Sequence, residues 1–137
     1  MLKNIVKDIN FLSQRSGDAT IDDKYIIDDL KDTLLFHKSH CVGMAANMIG
    51  YLKNIIIFEN SKGLHEIMVN PQIIKCEGKY EIEEGCLSLE GKRLTTRYKK
   101  IKVSYFDDKF RQRIKTFTDF EAEIIQHEID HLSGIII

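Results

Sequence analysis

The segment Gln126-His127-Glu128-Ile129-Asp130-His131 carries a His-Glu-x-x-His spacing, which on a helix puts two imidazoles and a carboxylate on one side. Such a set suits a cation held by His127 and His131, with Glu128 beside it as a base for a bound water. A solvated helix that happens to carry two histidines is the plainer explanation. Which one holds depends on what else the helix must bury.

The flanking residues define that helix. Thr118 with Glu121 three residues on has the form of a capping box, and Ser133-Gly134 supplies a stop, so a helix is expected from about Asp119 to Leu132. Ala122, Ile125, Ile129 and Leu132 fall on one side; Phe120, Ile124, His127, Glu128 and His131 share the other. Both sides need cover, which places the helix between a sheet and a site rather than on the surface. Buried imidazoles without partners would cost about 1–3 kcal/mol each, and coordination to a cation removes that cost.

A third ligand is required. Cys86, in Glu83-Glu84-Gly85-Cys86-Leu87-Ser88-Leu89, offers a thiol that a cation would deprotonate, and Gly85 is read as letting the backbone come close. Taken alone, a cysteine is more often a small buried core residue. Two imidazoles and a thiolate would leave a four-coordinate ion one open position for water, as catalytic sites need.

The remaining elements must hold these residues in place. Asp22 to His37 reads as a first helix with acidic residues at its entry and Ile26, Ile27, Leu30 and Leu34 as its buried stripe. Helical phasing stops at the Cys41 to Gly50 loop. The residues 54–58, 66–69, 73–74, 99–105 and 115–117 are short β-branched and aromatic runs that read as antiparallel strands. Asn70-Pro71 is expected to separate the second from the third, and Asp107-Asp108-Lys109 to turn between the last two. Gly134 to Ile137 is expected to form a short strand or an apolar tail. The class is α+β.

Composition narrows the partners. The chain has 137 residues, 43% hydrophobic and 30% charged, with no repeat or linker, which argues for one globular domain over residues 1–137. A net charge of -1, with no basic cluster interleaved with aromatics, argues against nucleic-acid binding. The N-terminal residues form no signal peptide and no spanning segment, so a cytoplasmic chain without membrane contact is expected. Three cysteines, Cys41, Cys76 and Cys86, cannot all pair within the chain, and reduced thiols are expected.

Three segments together resemble the signatures of peptide deformylases: Val42-Gly43-Met44-Ala45-Ala46-Asn47-Met48-Ile49-Gly50, Glu84-Gly85-Cys86-Leu87-Ser88 and Gln126-His127-Glu128-Ile129-Asp130-His131-Leu132. They stand in the family's order and span nearly the whole chain. The resemblance implies an α+β fold in which antiparallel β-sheets pack around a central metal-binding helix. It implies Cys86, His127 and His131 as ligands of one divalent ion, Fe(2+) natively, with Zn(2+), Ni(2+) or Co(2+) as substitutes. The implied reaction is hydrolysis of the N-formyl group from the initiating methionine of new polypeptides, so the partners are N-formyl-methionyl nascent peptides near the ribosome.

The same resemblance assigns roles. Glu128 takes a proton from the attacking water and returns it to the leaving amine, and the Leu87 N–H donates to the developing oxyanion. Glu84 is a candidate to support an imidazole from behind. Val42, Gly43, Ile82, Phe120 and Ile124 match the positions around an apolar pocket for the methionine side chain, with Glu123 able to place an acid at its rim.

The first signature departs from the family pattern. Met48 stands where the family has a glutamine whose amide helps hold the oxyanion, and a thioether donates no hydrogen bond. Loss of one such donor costs about 10²–10³ in turnover. Cys41 replaces the first glycine of the motif, and Glu90 stands where many members have proline. The amide of Asn47 is a candidate replacement donor; a simple turn residue is the plainer reading. These departures keep open a weak or inactive deformylase-like protein that binds metal and peptide. A zincin-type protease shares the helix motif, but the Cys86 segment argues against it.

Overall fold

The computed structural model describes all 137 residues, Met1–Ile137. It contains three helices, α1 (Ile9–Leu12), α2 (Lys24–His37) and α3 (Asp119–Leu132). Its five strands are β1 (Gly43–Ala45), β2 (Ile55–Glu59), β3 (His65–Cys86), β4 (Leu89–Phe106) and β5 (Gln112–Thr118). The strands form one antiparallel meander in the order β1-β2-β3-β4-β5, so the α+β class expected from sequence is the class observed.

Ile55, Ile56, Ile57 and Phe58 in β2 form an unbroken apolar run, and all four are fully buried. A strand reads that way when both faces are covered, and α2 and α3 both pack on β2. The stripe Ile26, Ile27, Leu30 and Leu34 is the buried face of α2, as its helical spacing predicts. A short 3₁₀ turn, Ile21–Asp23, leads into α2: Asp23 Oδ2 accepts from the Thr20 N–H at 2.8 Å and Thr20 Oγ1 from the Asp22 N–H at 3.3 Å. The Asp107-Asp108-Lys109 turn joins β4 to β5, with Asp107 Oδ1 accepting from the Lys109 and Arg111 amides.

Several expectations are corrected. Asn70-Pro71 does not separate two strands; it is an irregularity inside β3, where the pairing with β4 shifts between Val69 and Gln72. Asn70 adopts φ 50°, and its side chain bonds both the N–H and the C=O of Ala19, which fixes the bend. β3 and β4 run far beyond the apolar segments, through largely exposed, polar stretches. β1 lies in a segment read as loop.

The Thr118–Glu121 capping box does not form. Thr118 makes no side-chain cap, and the Glu121 carboxylate accepts from the Ser61 N–H at 2.8 Å instead. The stop at Ser133-Gly134 does form: the Ser133 N–H closes on Asp130 O at 3.0 Å, and Gly134 takes φ 78°, a left-handed value suited to glycine. Beyond it the chain is an irregular tail with Ile137 buried, not a strand. No helix is long and apolar enough to cross a membrane.

Candidate functional site

α3 contacts β1, β2, β4 and β5, and its Ala122, Ile125 and Leu132 enter the core. The opposite side brings His127, Glu128 and His131 to a second buried layer, with exposures of 7%, 4% and 1%. Cys86 ends β3, at the tight connection to β4, and reaches this layer from the sheet. The ligand atoms of Cys86, His127 and His131 all lie within 4.8 Å of one another. The two Nε2 atoms of His127 and His131 are 3.0 Å apart. A thiolate and two imidazoles at this mutual spacing fit a four-coordinate divalent ion with one open position.

Behind the histidines lies a charged network that the sheet supplies. Glu84 Oε1 accepts from His127 Nδ1 at 2.7 Å, which turns Nε2 of that ring toward His131. The Arg97 guanidinium donates Nη2–H to Glu84 Oε1 at 2.7 Å and Nη1–H to Asp130 Oδ2 at 2.6 Å. Gln126 is bound to the Tyr98 backbone in both directions at 2.8 Å, so β4 fixes the rotation of α3. Arg97, and the role of Asp130 as its partner, emerge only from the fold. Exposed Lys99 breaks the alternation that leads back from Tyr105, Val103 and Ile101 of β4, so the strand pattern does not by itself mark Arg97 as inward.

Electrostatics follow from this geometry. Burial would lower the His127 pKa, but hydrogen bonds with Cys86 and Glu84 outweigh it and push it up to about 10. Burial and the neighbouring His127 charge push His131 down to about 3. The metal-free pair therefore carries one proton more than two neutral rings, on His127, and the cation would take that proton's place. Burial opposes the charge on Glu84, yet the hydrogen bonds from His127 and Arg97 hold it at about 2. Glu128 is pushed up to about 7, chiefly by burial, and its Oε1 has no hydrogen-bond partner. A buried carboxyl poised near neutrality is suited to passing a proton in both directions.

An open cavity of about 590 Å³ leads to this layer. Of the pocket positions read from the sequence, Val42, Gly43, Phe120 and Ile124 line it, as do Leu87 and Met48. Ile82 does not: it is half-buried on β3, four residues and so about 13 Å along the strand from Cys86. Glu123 lines the cavity as expected, and Cys41, His40 and Lys92 join it. Burial, with the charge of Glu128, pushes the Cys41 thiol up to about 12, and its Sγ lies 3.0 Å from Gly43 O.

The close backbone approach sits at Gly43, not Gly85. A Cβ on Gly43 would meet Ile124 Cγ2 at 2.7 Å and Glu128 Oε2 at 2.9 Å, whereas one on Gly85 would find ordinary contacts from 3.5 Å outward. The amide of Asn47 does not turn toward the cavity. Its Nδ2 donates to His131 O at 2.8 Å, tying the first loop to the end of α3. The Met48 thioether is turned back onto the Ala45 N–H, with Sδ 3.4 Å from that nitrogen.

Comparison with known proteins agrees with the arrangement. A family model described as polypeptide deformylase matches residues 2–137. The chain is also 53% identical, over all of both sequences, to a peptide deformylase of Clostridium beijerinckii. This chain belongs to the polypeptide deformylase family. Solved deformylase structures share its fold. The Legionella pneumophila enzyme superposes with a TM-score of 0.88 at 29% identity, covering 99% of this chain and 83% of that one. A class I type b peptide deformylase of Acinetobacter baumannii, bound to Met-Ala-Ser, gives 0.86 at 26% identity, covering 99% of this chain and 96% of that one. In this deformylase-family chain the candidate metal centre is therefore built by both the helix motif and the Cys86 segment.

Proposed function

We propose that this chain removes the N-formyl group from N-formyl-methionyl nascent peptides in a metal-dependent hydrolysis, with Cys86, His127 and His131 as ligands. The convergence of those three ligand atoms beside the buried, unpartnered Glu128 Oε1 is the observation that supports it most directly. Fe(2+) is the ion expected, with Zn(2+), Ni(2+) or Co(2+) able to replace it. When bound, the ion supplies Lewis-acid activation of water and of the formyl carbonyl.

The protein's own groups carry the remaining steps. Val42, Gly43, Phe120 and Ile124 form an apolar wall that receives the methionine side chain and fixes the formyl group. Glu128 takes the proton from the attacking water at its free carboxylate oxygen, and the Leu87 N–H donates to the oxygen that becomes negative. Glu128 then returns the proton to the amine as the C–N bond breaks, releasing formate and a free methionyl terminus. The Met-Ala-Ser held by the Acinetobacter baumannii enzyme has the form of such a product. Substrates of this kind arise at the ribosome, so a cytoplasmic location accompanies the reading.

A specific observation favours slow turnover. Met48 occupies the position of a second oxyanion donor, its sulfur faces the Ala45 N–H, and the neighbouring Asn47 amide is committed to His131 O. Turnover is proposed to fall by about 10²–10³ relative to a site with that donor; a protein that binds metal and peptide without turnover is the limiting case. Chelation tests metal dependence: stripped protein should release no formate from formyl-Met-Ala, and Fe(2+) or Ni(2+) added without oxygen should restore release. Equal activity before and after stripping, or a Cys86→Ser protein that keeps its metal, would contradict the assignment.

A further inference from the structure

His37 is the last residue of α2, and His40 follows it at the rim of the cavity. The His40 N–H bonds His37 O at 3.0 Å, closing a turn that brings the rings together, with centroids 5.4 Å apart. His37 Nδ1 and His40 Nε2 are 3.4 Å apart. Two nitrogens bound at about 2.0–2.1 Å to one tetrahedral ion stand about 3.3–3.4 Å from each other. An N–H···acceptor hydrogen bond involving nitrogen typically closes to about 2.9–3.0 Å. At 3.4 Å the pair is long for a hydrogen bond and open enough to take a shared cation without movement of either ring.

Neighbouring groups orient both rings. Ser39 Oγ lies 3.0 Å from His40 Nδ1; with Nδ1–H donated to that hydroxyl, Nε2 keeps its lone pair and presents it to His37. The Phe36 ring packs edge-on against His37 at 5.0 Å. The negative end of the α2 dipole also lies here, since His37 is the last residue of the helix, and it favours a cation.

We propose that His37 and His40 form an accessory site for one borderline transition cation of the zinc, nickel or copper type, with water completing its shell. No carboxylate takes part, so hard ions such as Mg(2+) and Ca(2+) are refused. His40 also lines the cavity that leads to Cys86 and Glu128. His37 does not line that cavity, so the ion would sit beside its mouth, at His40.

The test is calorimetric titration of Zn(2+) into protein whose buried centre is already filled with nickel. Wild type should take up one zinc equivalent with its nickel content unchanged. His37→Ala and His40→Ala, at solvent-accessible positions, should each abolish that uptake, and His65→Ala should retain it. Circular dichroism and retained nickel establish that the variants are folded. Mg(2+) should give no binding heat. The inference is overturned if wild type takes up no zinc, if zinc enters only by displacing nickel, or if either variant binds zinc as wild type does.

Discussion

Glu84 accepts a 2.7 Å hydrogen bond from Nδ1 of His127, joining the C-terminal end of the long β3 strand to the first ligand of α3. That bond selects the ring's tautomer and aims Nε2 at His131 and Cys86. The same carboxylate is held by Arg97, which also holds Asp130, so one network fixes the strand and both ends of the His127–His131 turn.

Replacing Glu84 with glutamine should therefore loosen the ligand without emptying the site. The expected result is metal affinity lower by about 10–100-fold, the range typical of such orienting partners, read by competition with a chromogenic chelator. Unchanged affinity would show that Arg97 and packing alone orient the ring.

Glu84 and Glu128 should shift stability in opposite directions with pH. Glu84 is held near 2 in the folded protein against 4.5 ordinarily, so its contribution is present above pH 4.5 and is lost as pH falls toward 2. Glu128 is raised to about 7, so its contribution is present below 4.5 and is lost as pH rises through 7. In metal-free protein, Glu128→Gln should then raise the denaturation midpoint at pH 8 and have little benefit at pH 4. Glu84→Gln should lower it at pH 8 and matter least near pH 2. Urea melts across that range check both signs.

At Gly43 of β1 any side chain would collide with α3. Gly43→Ala places a methyl against Ile124 and Glu128, with contacts of 2.7 and 2.9 Å in the unrelaxed backbone. A destabilisation of about 1–3 kcal/mol is expected for such overpacking, together with a loss of kcat because the displaced atom is the proposed base. Gly85→Ala, which meets only ordinary contacts, should be milder on both counts.

Asn47 acts through the backbone. Asn47→Ala removes the buried bond to His131 O and should cost about 1–3 kcal/mol of stability. Metal content and KM should be little changed in the fraction that stays folded. A large fall in kcat with no change in thermal midpoint would instead give Asn47 a direct part in catalysis.

The site was legible where residue type and spacing both carry meaning. The i, i+4 histidines, the intervening acid and the free thiol could be read because few other arrangements explain them, and the helix beneath was marked by its apolar stripe and its Ser-Gly stop. The network behind the ligands was harder to see. Arg97 lies in a run of threonines and lysines where exposed Lys99 breaks the alternation leading back from Ile101, so its burial follows from the distant partners Glu84 and Asp130. Asn70-Pro71 gave a turn signal, but the Ala19 contacts that make it a bend within one strand are fifty-one residues away in sequence. Thr118 and Glu121 had the letters of a capping box, yet the Ser61 amide claimed the glutamate. In each case a tertiary partner overrode a local preference.

The most direct measurement is anaerobic formate release from formyl-Met-Ala by Fe(2+)- or Ni(2+)-loaded protein, comparing wild type with Glu128→Ala and Met48→Gln. The account predicts slow but measurable release in wild type, none in Glu128→Ala although its metal is retained, and a gain of about 10²–10³-fold in Met48→Gln. Release undiminished in Glu128→Ala, or absent from both wild type and Met48→Gln at full metal content, would contradict it.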